Sequence, residues 1–296
     1  MEAYLVAIAT ITLIYVLLAL GLTIQFGLTG LINFGHVGFF AIGAYASALL
    51  SLKGVPLPLC FVAAALSPAL AAVPIGLVTL RLREDYFAIV TLGFSEVVRV
   101  VITNEQWLTS GTQGIPGIPR LFPGLTGLTA QGAVLATIGG VALAAVWMIH
   151  RMACSPFGRV IQAIRDNEVA VRALGKDPIG FKLQVLAVGA ALAGVAGAFY
   201  AHDITYVTPD QFIPLVTFYV WMAVILGGVE RVSGAVVGTV ILMLFLEGSR
   251  FLRDLVPLVH EGGVSEVSMA SVRIGVVGLL LIAFVIKRPQ GLMGHR

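Results

Sequence analysis

Residues 1–22 read MEAYLVAIATITLIYVLLALGL, and after Glu2 this run carries no charged side chain. At 1.5 Å rise per residue, about 20 apolar residues cross the roughly 30 Å hydrocarbon core of a bilayer as one helix. The run lacks a positively charged leading region and exceeds the apolar core of a signal peptide, so it reads as a retained first membrane span.

The rest of the composition agrees. Of 296 residues only 11% are charged and 58% are hydrophobic, with a mean hydropathy of +1.00. Soluble domains carry about 25% charged residues. A water-soluble protein of this composition would expose apolar surface almost everywhere, so the solvent for most of the chain is lipid. In lipid each backbone N–H and C=O needs an internal partner, which leaves helices or a closed barrel. The apolar runs are about 17–25 residues long rather than short alternating stretches, which selects helices. The fold class is therefore all-α: a polytopic transmembrane helical bundle of about 8–10 spans, forming one domain over residues 1–296.

Nine apolar segments are expected: 3–24, 37–52, 57–80, 85–103, 129–150, 182–204, 213–229, 233–252 and 271–287. Threading them alternately places twelve of the 18 Lys and Arg residues on one side, including Arg151, Arg159, Arg165, Arg172, Lys176 and Lys182 in the segment 151–182. The positive-inside rule makes that side cytoplasmic, with the N-terminus outside and the C-terminus inside. Cys60 and Cys154 then lie near opposite membrane faces and cannot pair. The net charge of +3 reflects this asymmetry and gives no sign of nucleic-acid binding.

No motif for chemistry is present. Gly175-Lys176 is followed by Asp177, not by the hydroxyl residue a phosphate-binding loop requires, and the five histidines are too scattered for a metal set. The chain reads as a non-enzyme that binds no cofactor or metal of its own.

Four features stand out. The segment after the fifth span, from Ser155, predicts an amphipathic helix over 159–174 outside the membrane. Val160, Ile161, Ile164, Val171 and Leu174 form its apolar side and Arg165, Asp166, Glu168 and Arg172 its polar side; Gly175 and Asp177-Pro178 end it. Its mixed charge suits docking to a cytoplasmic protein better than lying on lipid headgroups. The stretch Gln25–His36 (QFGLTGLINFGH) is Gly-rich and polar-tinged. It is either a broken or re-entrant piece of the kind that marks transporter sites or an ordinary loop at the cytoplasmic edge. Glu96 and Arg99, three apart in the fourth span, should pair and face the bundle interior, because a lone charge at helix centre costs about 2.5–3.5 kcal/mol. They line a pathway or fix helix packing. A second pair, Glu247 and Arg250, lies nearer the outer end. Finally, Gly234-x-x-x-Gly238 and Ala193-x-x-x-Gly197 read as close helix-packing seams.

Five stretches, in this order along nearly the whole chain, carry a resemblance: 27–45 (GLTGLINFGHVGFFAIGAY), 83–99 (REDYFAIVTLGFSEVVR), 111–119 (GTQGIPGIP), 155–175 (SPFGRVIQAIRDNEVAVRALG) and 226–242 (LGGVERVSGAVVGTVIL). The chain resembles the LivM-like permease subunits of branched-chain amino acid ABC importers. The resemblance implies a multi-pass inner-membrane subunit forming a path for branched-chain or related amino acids. It also implies a second, LivH-like permease subunit, two ATP-binding subunits that hold ATP and Mg²⁺, and an extracytoplasmic substrate-binding protein. In that family the loop after the fifth span docks on the ATPase, so Arg159, Arg165, Asp166, Asn167, Glu168 and Arg172 are the coupling candidates. Importer permeases commonly show E-A-A-x-x-x-G there; this chain has Glu168, Ala170 and Gly175, with Val169 and a longer gap departing from the pattern. Asn33, His36, Phe39, Glu96 and Arg99 are the candidates for the translocation pathway. The other reading is a secondary transporter or channel for a small polar solute, for which Glu96–Arg99 is the deep polar site.

Overall fold

The computed structural model describes residues 2–80, 84–255, 275, 278–279 and 291–293. Most of the expected span 271–287, the outer segment 256–270, Arg81 and Arg83, and the side chain of Arg250 lie outside the described residues.

The described residues are helical almost throughout. Helix α1 (Glu2–Leu22) runs into a π-helical turn, Thr23–Gly27. After a non-helical stretch come α2 (His36–Leu52), α3 (Leu57–Thr79) and α4 (Glu84–Asn104). A short α5 (Gln106–Thr109) precedes α6 (Gly127–Ala153), α7 (Pro156–Asp166) and α8 (Glu168–Ala173). Then follow α9 (Pro178–Ile204), α10 (Pro214–Gly227) and α11 (Val232–Leu255). Among the described residues, six stretches are long and apolar enough to cross a membrane: 3–27, 57–79, 86–104, 127–153, 178–204 and 209–227. Two shorter apolar helices, His36–Leu52 and Val232–Glu247, accompany them. The molecule is a multi-pass, all-α membrane bundle.

Helix α9 is the central post, packed against α1, α2 and α3. It can approach its neighbours closely because it is built from Gly and Ala. A Cβ at Gly194 would collide with the Ala64 carbonyl of α3, and one at Gly197 with the Phe40 carbonyl of α2. Without a hydrophobic drive between helices in lipid, such backbone proximity is what dispersion contacts depend on. Gly234 and Gly238 do the same for the α10–α11 pair: a Cβ at Gly234 would lie 2.7 Å from the Gly228 carbonyl oxygen.

The two ends of the bundle are distinct. At one end the strand β1 (Ile115–Pro116) pairs antiparallel with β2 (Tyr206–Val207), joining the loop after α4 to the chain leaving α9. His202 there bridges Ser47 Oγ of α2 (2.8 Å) and the Pro119 carbonyl (2.7 Å). At the other end sit α7 and α8, the π turn and the α10–α11 connection. Residues 292 and 293 donate to the carbonyls of Leu226 and Gly227, so the described C-terminal residues share that end. Cys60 and Cys154 are both free, the first near the β-paired end and the second at the α7 end.

The amphipathic segment differs from the single helix expected over 159–174. It starts earlier, with Ser155 Oγ accepting from Gly158 N at 3.2 Å and Pro156 in the first turn, and it breaks at Asn167. That residue is extended (φ −159°, ψ 96°), and its Oδ1 accepts from Ala170 N at 3.0 Å. The asparagine caps a new helix instead of continuing the old one, a preference rooted in its short hydrogen-bonding side chain.

Gly194→Leu should lower bundle stability by about 3 kcal/mol, because the obstacle is backbone and cannot rotate away; thermal unfolding in detergent micelles, read by size-exclusion recovery, checks this.

Candidate functional site

The stretch between the π turn and α2 is a buried, re-entrant backbone segment. Asn33, His36 and Phe39 are all buried, and α2 begins inside the bundle, with His36 Nε2 donating to the Leu18 carbonyl at 3.1 Å. Its freed peptide groups draw partners from several elements. Leu31 N donates to the Gln25 carbonyl (2.8 Å), Phe34 N to Thr91 Oγ1 of α4 (3.2 Å), and Gly35 N to Asn33 Oδ1 (2.8 Å). Val37 N donates to Thr217 Oγ1 of α10 (3.0 Å). Trp221 Nε1 donates to the Asn33 carbonyl at 3.0 Å. The side chains complete the lattice: Asn33 Nδ2 to Gln25 Oε1 (2.9 Å) and Gln25 Nε2 to the Leu186 carbonyl of α9 (3.2 Å). Gly35 is needed because a Cβ would strike the Thr91 carbonyl. Around this backbone, Phe34 packs on Phe218 and Trp221 (ring centroids 5.4 and 5.1 Å), and Phe39 on Phe94 (5.1 Å). Of the two sequence readings of this stretch, the re-entrant one describes it.

The helices at the opposite end from the β pair divide the six coupling candidates into two groups. Arg159, Asp166 and Arg172 are exposed. Arg165 is only 27% exposed and turns into the bundle: Nη1 donates to the Gly27 carbonyl at 2.8 Å and lies 3.4 Å from Glu230 Oε1. Glu168 is held between Arg172 Nη2 and Lys182 Nζ, both at 2.6 Å. Asn167 serves as the cap between α7 and α8. Ile161, Ile164 and Val171 pack inward as their spacing predicts, but Leu174 is 80% exposed, and with Val169 at 76% it leaves an apolar rim on α8. Burial alone would push the Glu168 carboxyl up; the hydrogen bonds and charges of Lys182 and Arg172 outweigh it and hold the group below the usual carboxylate range.

Glu96 and Arg99 pair as expected, with Arg99 Nη2 and Nε at 2.7 and 3.0 Å from Glu96 Oε2. Their side chains are 38% and 31% exposed, so the pair sits on a flank of α4 at the surface of this chain and not within its core. The next faces of α4 are bare and apolar, with Ile89, Val97 and Val100 exposed. The residues that sequence reasoning passed over are Gln25, Gly27, Thr91, Lys182, Thr217, Trp221 and Glu230. Gln25 lay inside the polar-tinged stretch. The threonines carry no signal, because a threonine in a span ordinarily bonds its own helix.

Residues 4–285 match the family model described as the permease component of branched-chain amino acid transport systems. The chain is 35% identical to the high-affinity branched-chain amino acid transport system permease protein LivM of Salmonella typhimurium, covering 97% of this chain and 69% of that protein. Identity is 36% to the LivM protein of Escherichia coli over the same shares, and 26% to its LivH protein, over 77% of this chain and 79% of LivH. No solved structure matches the chain.

A carboxylate whose folded pKa is depressed contributes its stabilisation in full above its unfolded value and loses it as pH falls through the folded one. Amide protection of residues 168–174 should therefore hold from neutral pH down to the ordinary carboxylate range and drop below it. Glu168→Gln should lack that acid step and start from lower protection at neutral pH, as read by hydrogen exchange. For the α4 pair, Glu96→Ala and Arg99→Ala should each reduce folded yield more than the double variant, since a single change leaves one charge uncompensated in the membrane; quantitative expression with size-exclusion monodispersity makes the comparison.

Proposed function

Because this chain belongs to the family of permease components of branched-chain amino acid transport systems, we propose that it forms half of the membrane path of an ATP-driven importer for branched-chain or related amino acids. Its partners are a LivH-like second permease subunit, two ATP-binding subunits that carry ATP and Mg²⁺, and an extracytoplasmic binding protein that presents the substrate. The chain hydrolyses no ATP itself and acts as a single permease unit.

The observation that carries the reading is the pair α7–α8: short helices outside the spans that present exposed Val169, Leu174, Arg159, Asp166 and Arg172 from one end of the bundle. An apolar rim beside mixed charges suits a protein cleft, where the apolar side chains are desolvated and the charges set register. The excess of Lys and Arg supports a cytoplasmic placement of this end and of the C-terminus. On the translocation side, the half-exposed Glu96–Arg99 flank of α4 needs a cover less hostile to charge than lipid. The second permease subunit and the hydrated path between the two subunits supply one. The buried set around Asn33, His36 and Phe39 forms the wall behind that path.

In a Cys60→Ala, Cys154→Ala background, Gln113→Cys should react with an impermeant maleimide only from outside intact cells and Lys176→Cys only in inverted vesicles; the reverse pattern overturns the orientation. Val169→Glu with Leu174→Glu should weaken recovery of the ATP-binding subunits in co-purification by about tenfold or more while the permease itself stays monodisperse. Undiminished recovery removes α8 from the docking surface.

A further inference from the structure

The polar contacts of α7 and α8 are not equivalent. Glu168–Lys182 ties α8 to the start of α9, only 14 residues further along the chain. Arg165 reaches much further. Its Nη1 meets the carbonyl of Gly27, 138 residues away in sequence, and Glu230 in the α10–α11 connection. Its Nε also meets Asp166 Oδ1 at 3.1 Å, which holds the guanidinium from the outer side. Among the described residues, Arg165 is the member of α7 and α8 whose polar contacts reach the π turn that leads into the re-entrant segment.

The receiving end is shaped for it. Gly27 closes the π turn; the carbonyls of Gln25 and Phe26 before it take donors from Leu31 N and Gly30 N, and that of Gly27 takes Arg165. A Cβ at Gly27 would collide with the Val229 carbonyl, so the glycine holds the π turn against the same α10–α11 connection that carries Glu230. Gly30 (φ +78°) turns the chain back toward the membrane with Arg165 Cγ 3.2 Å from where its Cβ would be. From the π turn, Gln25 continues to Asn33 and to α9 through its side-chain amide. A π turn carries poorer hydrogen-bond geometry than an α-helix and recurs at functional sites.

We infer that Arg165 is a positioning residue that links the cytoplasmic helix α7 to the re-entrant segment 28–35, so that a displacement of α7 by the ATP-binding subunits moves the backbone carrying Asn33 and His36. The inference rests on the coupling role proposed above. It adds that the guanidinium is spent inside the permease and not on the partner: it acts as a two-point clamp across Gly27 and Glu230. Its Nη1 faces Gly27 and Glu230 while Nε and Nη2 face Asp166; a planar fork of donors can hold both sides at once, whereas a lysine ammonium is a single point and cannot.

The test uses the reconstituted complete transporter with Arg165→Gln and Arg165→Lys, measuring subunit assembly, ATPase rate and substrate uptake per ATP separately. Assembly and ATPase rate should stay at the parent level in both variants. Uptake per ATP should fall about tenfold in Arg165→Gln and by an intermediate factor in Arg165→Lys. Parent-level uptake per ATP in Arg165→Gln overturns the inference, and so does a loss confined to assembly, because that would make Arg165 a docking residue. Hydrogen exchange on the isolated permease in detergent supplies an arm independent of the partners. Exchange at residues 28–35 should rise about tenfold in Arg165→Gln with α2 and α9 unchanged, and an unchanged segment overturns the clamp. A coupling role that fails for other reasons shows itself differently, as normal assembly and uptake in the Val169→Glu, Leu174→Glu variant.

Discussion

A peptide group without a partner costs several kcal/mol in hydrocarbon, and this chain interrupts its own backbone inside the bundle. Between Leu28 and Gly35 the helical ladder stops, and the structure around it is arranged to replace the lost hydrogen bonds. Thr91 of α4 and Thr217 of α10 supply hydroxyl acceptors, Trp221 caps a carbonyl, and the Gln25 and Asn33 amides bond each other and α9. Four helices are therefore fixed relative to one another by what the re-entrant segment requires. The glycines of α9 and Gly35 follow from the same demand, since donors and acceptors reach one another only where backbones come close.

That constraint also sets the segment apart from the rest of the bundle. Uninterrupted spans such as α3 and α6 leave one flank bare: Leu66, Leu70, Leu143 and Trp147 are exposed on the chain and suit lipid. The interrupted segment is instead held from three sides, and an arginine from α7 packs against it at Gly30. A segment satisfied by specific side chains has discrete arrangements and does not flex continuously.

The sequence by itself determined the class, the helices and the end-to-end charge asymmetry, because hydropathy over about 20 residues reports a solvent and not a neighbour. The seams of Gly and Ala in α9 and α11, the exposed placement of Arg159, Asp166 and Arg172, and the Glu96–Arg99 pair were legible for the same local reason: helical spacing fixes which residues share a face. What only the tertiary structure decided concerns partners far apart in the chain. That Gln25–His36 is re-entrant depends on acceptors at Thr91 and Thr217. That Arg165 and Glu168 turn inward depends on Gly27, Glu230 and Lys182. The break at Asn167 came from a competition the periodicity could not weigh, between one more helical turn and a side-chain cap. The flank position of Glu96 and Arg99 was likewise invisible, since the cost of a charge in the membrane says that it must be covered and not which subunit covers it.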